Sequence, residues 1–213
     1  MTIRWSAMTT SVLALALLLA VPGAGAAGAD LLDTTKFKEK APDTYKAKFE
    51  TTKGDFVVEV TRAWSPRGAD RFYNLVKGGY YDGVKVFRVV PGFVVQFGIH
   101  GDPKVNAVWK NARIGDDPVK EGNLRGMVTF AMGGANSRTT QIFINLQDNR
   151  GLDNQGFSPF GRVAEGMKVV EDFFSGYKED ITSQQGAIFA QGNAFLDANY
   201  PKLDSITKAT IVP

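Results

Sequence analysis

Polar and apolar residues alternate with period two from Tyr45 onward, where Tyr45, Ala47 and Phe49 are separated by Lys46, Lys48 and Glu50. After Lys53-Gly54-Asp55 the alternation resumes at Phe56, Val58 and Val60. Two such runs around a glycine-containing break predict a β-hairpin. Ser65-Pro66 then offers an N-cap and a proline at the first helical position, Ala69, Phe72, Leu75 and Val76 follow at helical spacing, and Gly78-Gly79 stops the run. That order predicts an amphipathic helix. Residues 85–90, 93–97, 127–131 and 141–145 are apolar runs of strand length punctuated by Pro, Gly and Asn. Residues 166–177 place Met167, Val170, Phe173 and Phe174 on one helical face, and residues 205–212, rich in β-branched side chains, read as a closing strand. Many short strands with only two helices predict a mostly-β barrel or sandwich.

The N-terminus follows a different logic. One positive residue, Arg4, precedes an apolar run over residues 12–21, broken by Pro22-Gly23 before Ala24-Gly25-Ala26. The run is about half of the roughly 20 residues a membrane span needs, so residues 1–26 read as a signal peptide cleaved after Ala26. The expected product is periplasmic or secreted, with no stable membrane insertion after processing. Residues 27–43, carrying Lys36, Lys38, Glu39 and Lys40, read as a solvated tether, and residues 44–213 as one domain.

Composition removes more chemistry than it adds. The 213 residues include no Cys and a single His, His100, which excludes disulfides, thiolate nucleophiles and multi-histidine metal sites. No metal or other cofactor is expected. A net charge of +3 without a basic block gives no reason to expect a nucleic-acid partner. Asp116-Asp117 reads as a solvated turn, and His100 as a loop-stabilising hydrogen-bonding residue.

Two segments stand apart. In Val86-Phe87-Arg88-Val89-Val90-Pro91-Gly92-Phe93-Val94-Val95-Gln96-Phe97, Arg88 and Gln96 interrupt an apolar run that bends at Pro91-Gly92. An edge strand with an outward Arg and an outward Gln fits those residues as well. In Gly133-Gly134-Ala135-Asn136-Ser137-Arg138-Thr139-Thr140-Gln141-Ile142-Phe143-Ile144, a Gly-rich loop runs into a strand without the lysine and helix of a phosphate cradle.

Together these segments resemble the cyclophilin family of peptidyl-prolyl cis-trans isomerases, whose F-x-R-x-x-P-G-F-x-x-Q run is similar to Val86 through Gln96 and whose S-Q-F-F-I strand is similar to Thr140 through Ile144. Pro66 through Val76 is similar to the family's first helix, and Phe160 through Met167 to its turn into the second. The resemblance implies a closed eight-stranded antiparallel barrel capped by two α-helices. It also implies an isomerase acting as a monomer on flexible, proline-containing polypeptides and assisting their folding. Arg88 and Gln96 would be catalytic, while Phe93, Val94, Phe143, Leu152 and Phe157 would form the proline pocket and Gln141 and the Ala131 backbone would hold the flanking peptide. This chain departs from the pattern at Phe87, where the family often has His, near Gly151, where a groove Trp is usual, and at Phe157, Val94 and Met132. A second reading keeps the groove but makes the chain a holdase that grips proline segments without catalysis.

Overall fold

The computed structural model describes Met1 and residues 31–212. The signal-peptide reading therefore falls outside the described residues. In chain order the elements are β1 (Thr44–Thr51), β2 (Gly54–Thr61), α1 (Pro66–Lys77), β3 (Arg88–Val90), β4 (Val94–Phe97), α2 (Pro103–Trp109), β5 (Met127–Phe130) and β6 (Ile142–Asn145). They continue with β7 (Pro159–Glu165), α3 (Met167–Glu171), α4 (Gln185–Gln191), α5 (Asn193–Asn199) and β8 (Ile206–Val212). Single 3-10 segments lie at Thr34–Lys36, Arg150–Gln155 and Asp180–Gln184.

The strands form one eight-stranded antiparallel sheet in the order β3-β4-β6-β5-β7-β2-β1-β8. The hairpin forms as its alternation dictates: Phe49 faces Phe56 across β1 and β2, and their rings stack at 4.9 Å. The inward row Val89, Val95, Ile144 and Val128 crosses four strands and is buried throughout. Phe49, Phe72, Tyr81 and Phe97 fill the space behind it, with ring centroids about 6 Å apart. A sheet this well filled leaves no room inside for a polypeptide.

Closure of the barrel is where expectation and structure part. The sheet is an open half-barrel, because β3 and β8 both end as edges. An isolated bridge, Lys85 to Ser205, and the bonds Val86 N–H to Asp204 O (2.9 Å), Ile206 N–H to Val84 O (2.8 Å) and Gly83 N–H to Ile206 O (2.8 Å) span the gap. The run expected to be a strand from residue 85 pairs as one only from Arg88, so a continuous ladder never forms. Of the run Phe160 through Met167, which resembles the family's turn into its second helix, the residues up to Glu165 belong to strand β7 between β2 and β5, and the helix begins at Met167.

Helices differ from the pattern as well. The described residues contain five, and the stretch expected to be helical over 166–177 is helix only over Met167–Glu171. Val170 and Phe173 are nonetheless buried as their spacing demands. At α1, Ser65 does not cap with its own side chain; its hydroxyl donates to Asp117, 2.7 Å away, and Asp117 accepts the Arg67 (3.1 Å) and Gly68 (3.0 Å) amides of the first turn. Asp117 is thus a buried cap supplied by a distant loop and no solvated turn, because its carboxylate takes up first-turn amides that the Ser65 side chain leaves free.

The described part of the expected tether, residues 31–43, is docked. Trp109 donates its indole N–H to the Leu31 carbonyl at 2.7 Å, Phe37 meets the Trp109 ring edge-on at 4.9 Å, and Asp70 accepts the Ala41 amide at 2.8 Å. Its apolar residues found a surface to cover, which charge counting along the segment does not reveal.

Between α3 and β8 a helical insertion, residues 175–203, builds a small core of its own. Ile181, Ile188, Leu196 and Leu203 are buried together with Phe87 and Ile99, and Phe195 and Tyr200 pack around them. Asn193 ties the insertion to the body by donating to Gly83 O and, through its amide, to Gly101 O, both at 2.9 Å. No helix among the described residues is long and apolar enough to cross a membrane.

Candidate active site

The turn between β3 and β4 sets the geometry. Pro91 and Gly92 occupy its centre, Gly92 has φ +72°, and the Phe93 amide closes the turn on Val90 O at 2.9 Å, an arrangement for which a proline followed by a glycine is suited. The resulting register pairs Arg88 with Gln96, Gln96 with Phe143, and Phe143 with Thr129. Because neighbours on one row share a face, Arg88, Gln96 and Phe143 stand side by side on the outer surface while Val89 and Val95 point into the core.

Those outward residues bound a cavity of about 220 Å³ lined by Arg88, Phe93, Val94, Gln96, Ala131, Met132, Phe143, Leu152 and Phe157, with Thr182 and Gln185 closing it from the insertion. Its apolar walls are positioned from behind. Phe93 O accepts from the Leu146 amide and from Asn149 Nδ2, both at 2.9 Å. Asn123 bonds Asp153 and Phe157 O, holding the 3-10 turn that presents Leu152. Phe157 meets Phe143 edge-on with centroids 5.6 Å apart.

A polar line forms the other wall. Arg88 Nη1 donates to Gln96 Oε1 at 2.8 Å, Gln96 Nε2 to Gln141 Oε1 at 2.9 Å, and Gln141 Nε2 to Gln185 Oε1 at 3.1 Å. Glu179 grips the other edge of the guanidinium, accepting from Nε at 2.9 Å and from Nη2 at 2.6 Å. The Arg88 hydrogen bonds hold the Glu179 carboxyl below the usual range; burial opposes them and the Thr182 hydroxyl adds to them. The guanidinium also lies 5.5 Å from the Phe93 ring centroid.

Every residue expected to act at the site meets here. Arg88, Gln96, Phe93, Val94, Ala131, Phe143, Leu152 and Phe157 line one cavity, and Gln141 lines an adjoining hollow of about 190 Å³ that shares Gln96, Ala131 and Gln185. The Ala131 amide is spent on Gln141 O at 2.9 Å, so only its carbonyl can serve a peptide. Glu179, Thr182 and Gln185 are the residues that sequence reasoning missed; the one hint was the seven-residue spacing of Ile181 and Ile188, which the structure places in the 3-10 segment Asp180–Gln184 and in α4. His100 acts in its loop, accepting the Asp102 amide on Nδ1 at 2.9 Å, and burial depresses its pKa. A larger hollow of about 390 Å³ lies against Lys36, Phe37, Glu39 and α1, but Phe37 is its only ring, and Asn74 and Lys77 along it spend hydrogen bonds on Glu39.

Fold and face together define a filled half-barrel that carries, on its outer surface, an apolar pocket beside a clamped cation. Comparison with known proteins gives this class its family. The family model described as cyclophilin type peptidyl-prolyl cis-trans isomerase/CLD matches residues 46–189. A peptidyl-prolyl cis-trans isomerase, ppi1, of Schizosaccharomyces pombe is 34% identical over 128 residues, 57% of this chain and 80% of the relative. Peptidyl-prolyl cis-trans isomerase A of Dickeya dadantii is 31% identical over 147 residues, 63% of this chain and 74% of the relative. A crystal structure of a cyclophilin type isomerase from Cryptosporidium parvum superposes with a TM-score of 0.59 at 18% identity, covering 80% of this chain and 98% of that one. The chain belongs to the cyclophilin-type peptidyl-prolyl cis-trans isomerase family.

Proposed function

We propose that this isomerase works outside the cytoplasm, where it accelerates rotation about X-Pro bonds in flexible exported polypeptides and so assists their folding. The observation that carries the reading is Arg88, fixed between Gln96 and Glu179 at the rim of an apolar pocket. The periplasmic or secreted location rests on the signal-like pattern of residues 1–26, and the role in folding on the slowness of proline isomerisation, tens to hundreds of seconds unassisted.

Rotation about an X-Pro bond crosses a barrier of about 18–20 kcal/mol because twisting removes amide resonance. In the twisted state the proline nitrogen becomes pyramidal and gains a lone pair, so a fixed cation stabilises that state more than either planar isomer. Arg88 supplies such a cation: its guanidinium is always charged, and its plane is set from two sides. With the ring held by Phe93, Phe143, Leu152 and Phe157, the residue before proline is left to turn while Gln96 and Gln141 hold the chain. Each 1.36 kcal/mol gained only in the twisted state multiplies the rate about tenfold. No proton or covalent bond changes hands, which fits a site without Cys or His.

NMR exchange on a short X-Pro peptide tests the reading. Wild-type protein is expected to accelerate cis-trans exchange and Arg88→Ala to lose most of that acceleration. Peptide shifts without acceleration by the wild type would instead favour a proline-directed holdase. Export is checked by the intact mass of protein recovered outside the cytoplasm, which should lack residues 1–26.

A further inference from the structure

Arg88 has five N–H groups, and three are committed: one to Gln96 and two to Glu179. One N–H on each terminal nitrogen remains for a ligand. Glu179 takes the Nε edge, so it clamps the guanidinium without using up its terminal donors. It also brings a negative charge against the cation that borders the pocket. Arg88 is 18% exposed and Glu179 51% in their side chains, so both charges are felt at the groove.

The carboxylate's place is not decided by the ion pair alone. Thr182 donates to Glu179 Oε2 at 2.9 Å, and the segment carrying both is held by Ile181, buried against Phe87, the residue that precedes Arg88 in the chain. At the far end, Gln185 of the same insertion accepts from Gln141. The insertion therefore grips both ends of the polar line Arg88-Gln96-Gln141 and walls the pocket between them with Thr182 and Gln185.

We propose that Glu179 is a positioning residue for Arg88 that sets the charge preference of the groove: by compensating the guanidinium it keeps the site open to proline segments with neutral or basic neighbours and denies acidic ones the attraction a bare arginine would give. The inference rests on the groove being the proline-peptide site. It assigns the insertion a part in substrate choice, with segments bearing Lys or Arg beside proline as the class that benefits. A groove holding Arg88 without Glu179 would carry one more positive charge and rank the same peptides in the opposite sense.

Two tetrapeptides that differ only in Glu or Lys before the proline test this, with affinity read by NMR titration and isomerisation by exchange in the same samples. Relative to wild type, Glu179→Gln should shift the affinity ratio toward the Glu peptide by about three- to tenfold at low ionic strength, the scale of exposed charge interactions. High salt should reduce most of that shift, since charges at a surface are screened while a change of shape is not. A ratio that stays at the wild-type value, or a shift that high salt leaves intact, would overturn the proposal. Failure of the wild type to speed exchange would sink the isomerase reading while the affinity ratio still judged Glu179.

Discussion

Two arginine-carboxylate pairs show what burial does to the same chemistry. Arg138 and Asp117 sit 3.1 Å apart with 2% and 3% of their side chains exposed, and Arg88 and Glu179 sit 2.6 Å apart at 18% and 51%. The buried pair is enclosed by partners: Ser65 and two amides bond Asp117, Gly115 O accepts from Arg138, and Asp116 lies 3.4 Å from the Arg138 Nε. It binds a loop to the start of α1 and leaves nothing for a ligand. The rim arginine is held from two edges, by Gln96 and by Glu179, and still keeps one N–H on each terminal nitrogen. An arginine becomes useful to a substrate when its fold immobilises it without exhausting it.

Breaking the buried pair should have the largest effect. Asp117→Ala leaves the buried Arg138 with Asp116, 3.4 Å from its Nε, as its remaining carboxylate and removes the α1 cap, so stability in urea unfolding should fall by about 3 kcal/mol while the remaining folded protein keeps its exchange activity. Arg88→Ala should do the reverse, lowering kcat/KM by about 10²–10³-fold with the unfolding midpoint nearly unchanged. A variant that lost stability and activity in parallel would erase the contrast between the two sites.

Acid sharpens it further. Burial pushes the Asp117 carboxyl up, but the Ser65 hydroxyl, the Gly68 and Arg67 amides and the Arg138 guanidinium together bring it below its usual value. A folded pKa below the unfolded one, about 3.9, contributes stability that is present above that pH and drains as pH falls through the folded value. Asp117→Asn should therefore flatten the acid limb of the stability curve below about pH 4. Glu179 is depressed in the same direction by Arg88, yet its exposure leaves little to lose: Glu179→Ala should cost less than ~1 kcal/mol in unfolding.

Much of the site was legible because it depends on short-range order. Pro91-Gly92 sets a two-strand register, and alternation then puts Arg88 and Gln96 on one face at the same level. Phe93 follows the turn directly, and Phe143 falls on the same row one strand over. The segment around Leu152 and Phe157, less regular in sequence, still reaches the pocket because Asn123, outside that segment, holds its backbone. The hairpin and α1 were legible for the same local reason, down to the proline that begins the helix and the glycine after it.

What the chain alone determined is what residues a few positions apart can decide: periodicity, turns, the pairing of neighbouring strands, and a chemistry that must work without thiol or multiple imidazoles. The fold decided the rest. Glu179 meets Arg88 across 91 positions, and Asp117 caps a helix some 50 positions earlier. Neither partner carries a local mark, because an exposed glutamate and an aspartate in a loop read alike until packing has chosen their surroundings. The open edge between β3 and β8, the strand β7 and the small core around Phe87 belong to the same group. Each depends on which distant surfaces bury one another, a choice made by the area removed from water over the whole molecule and not by the pattern of any one segment.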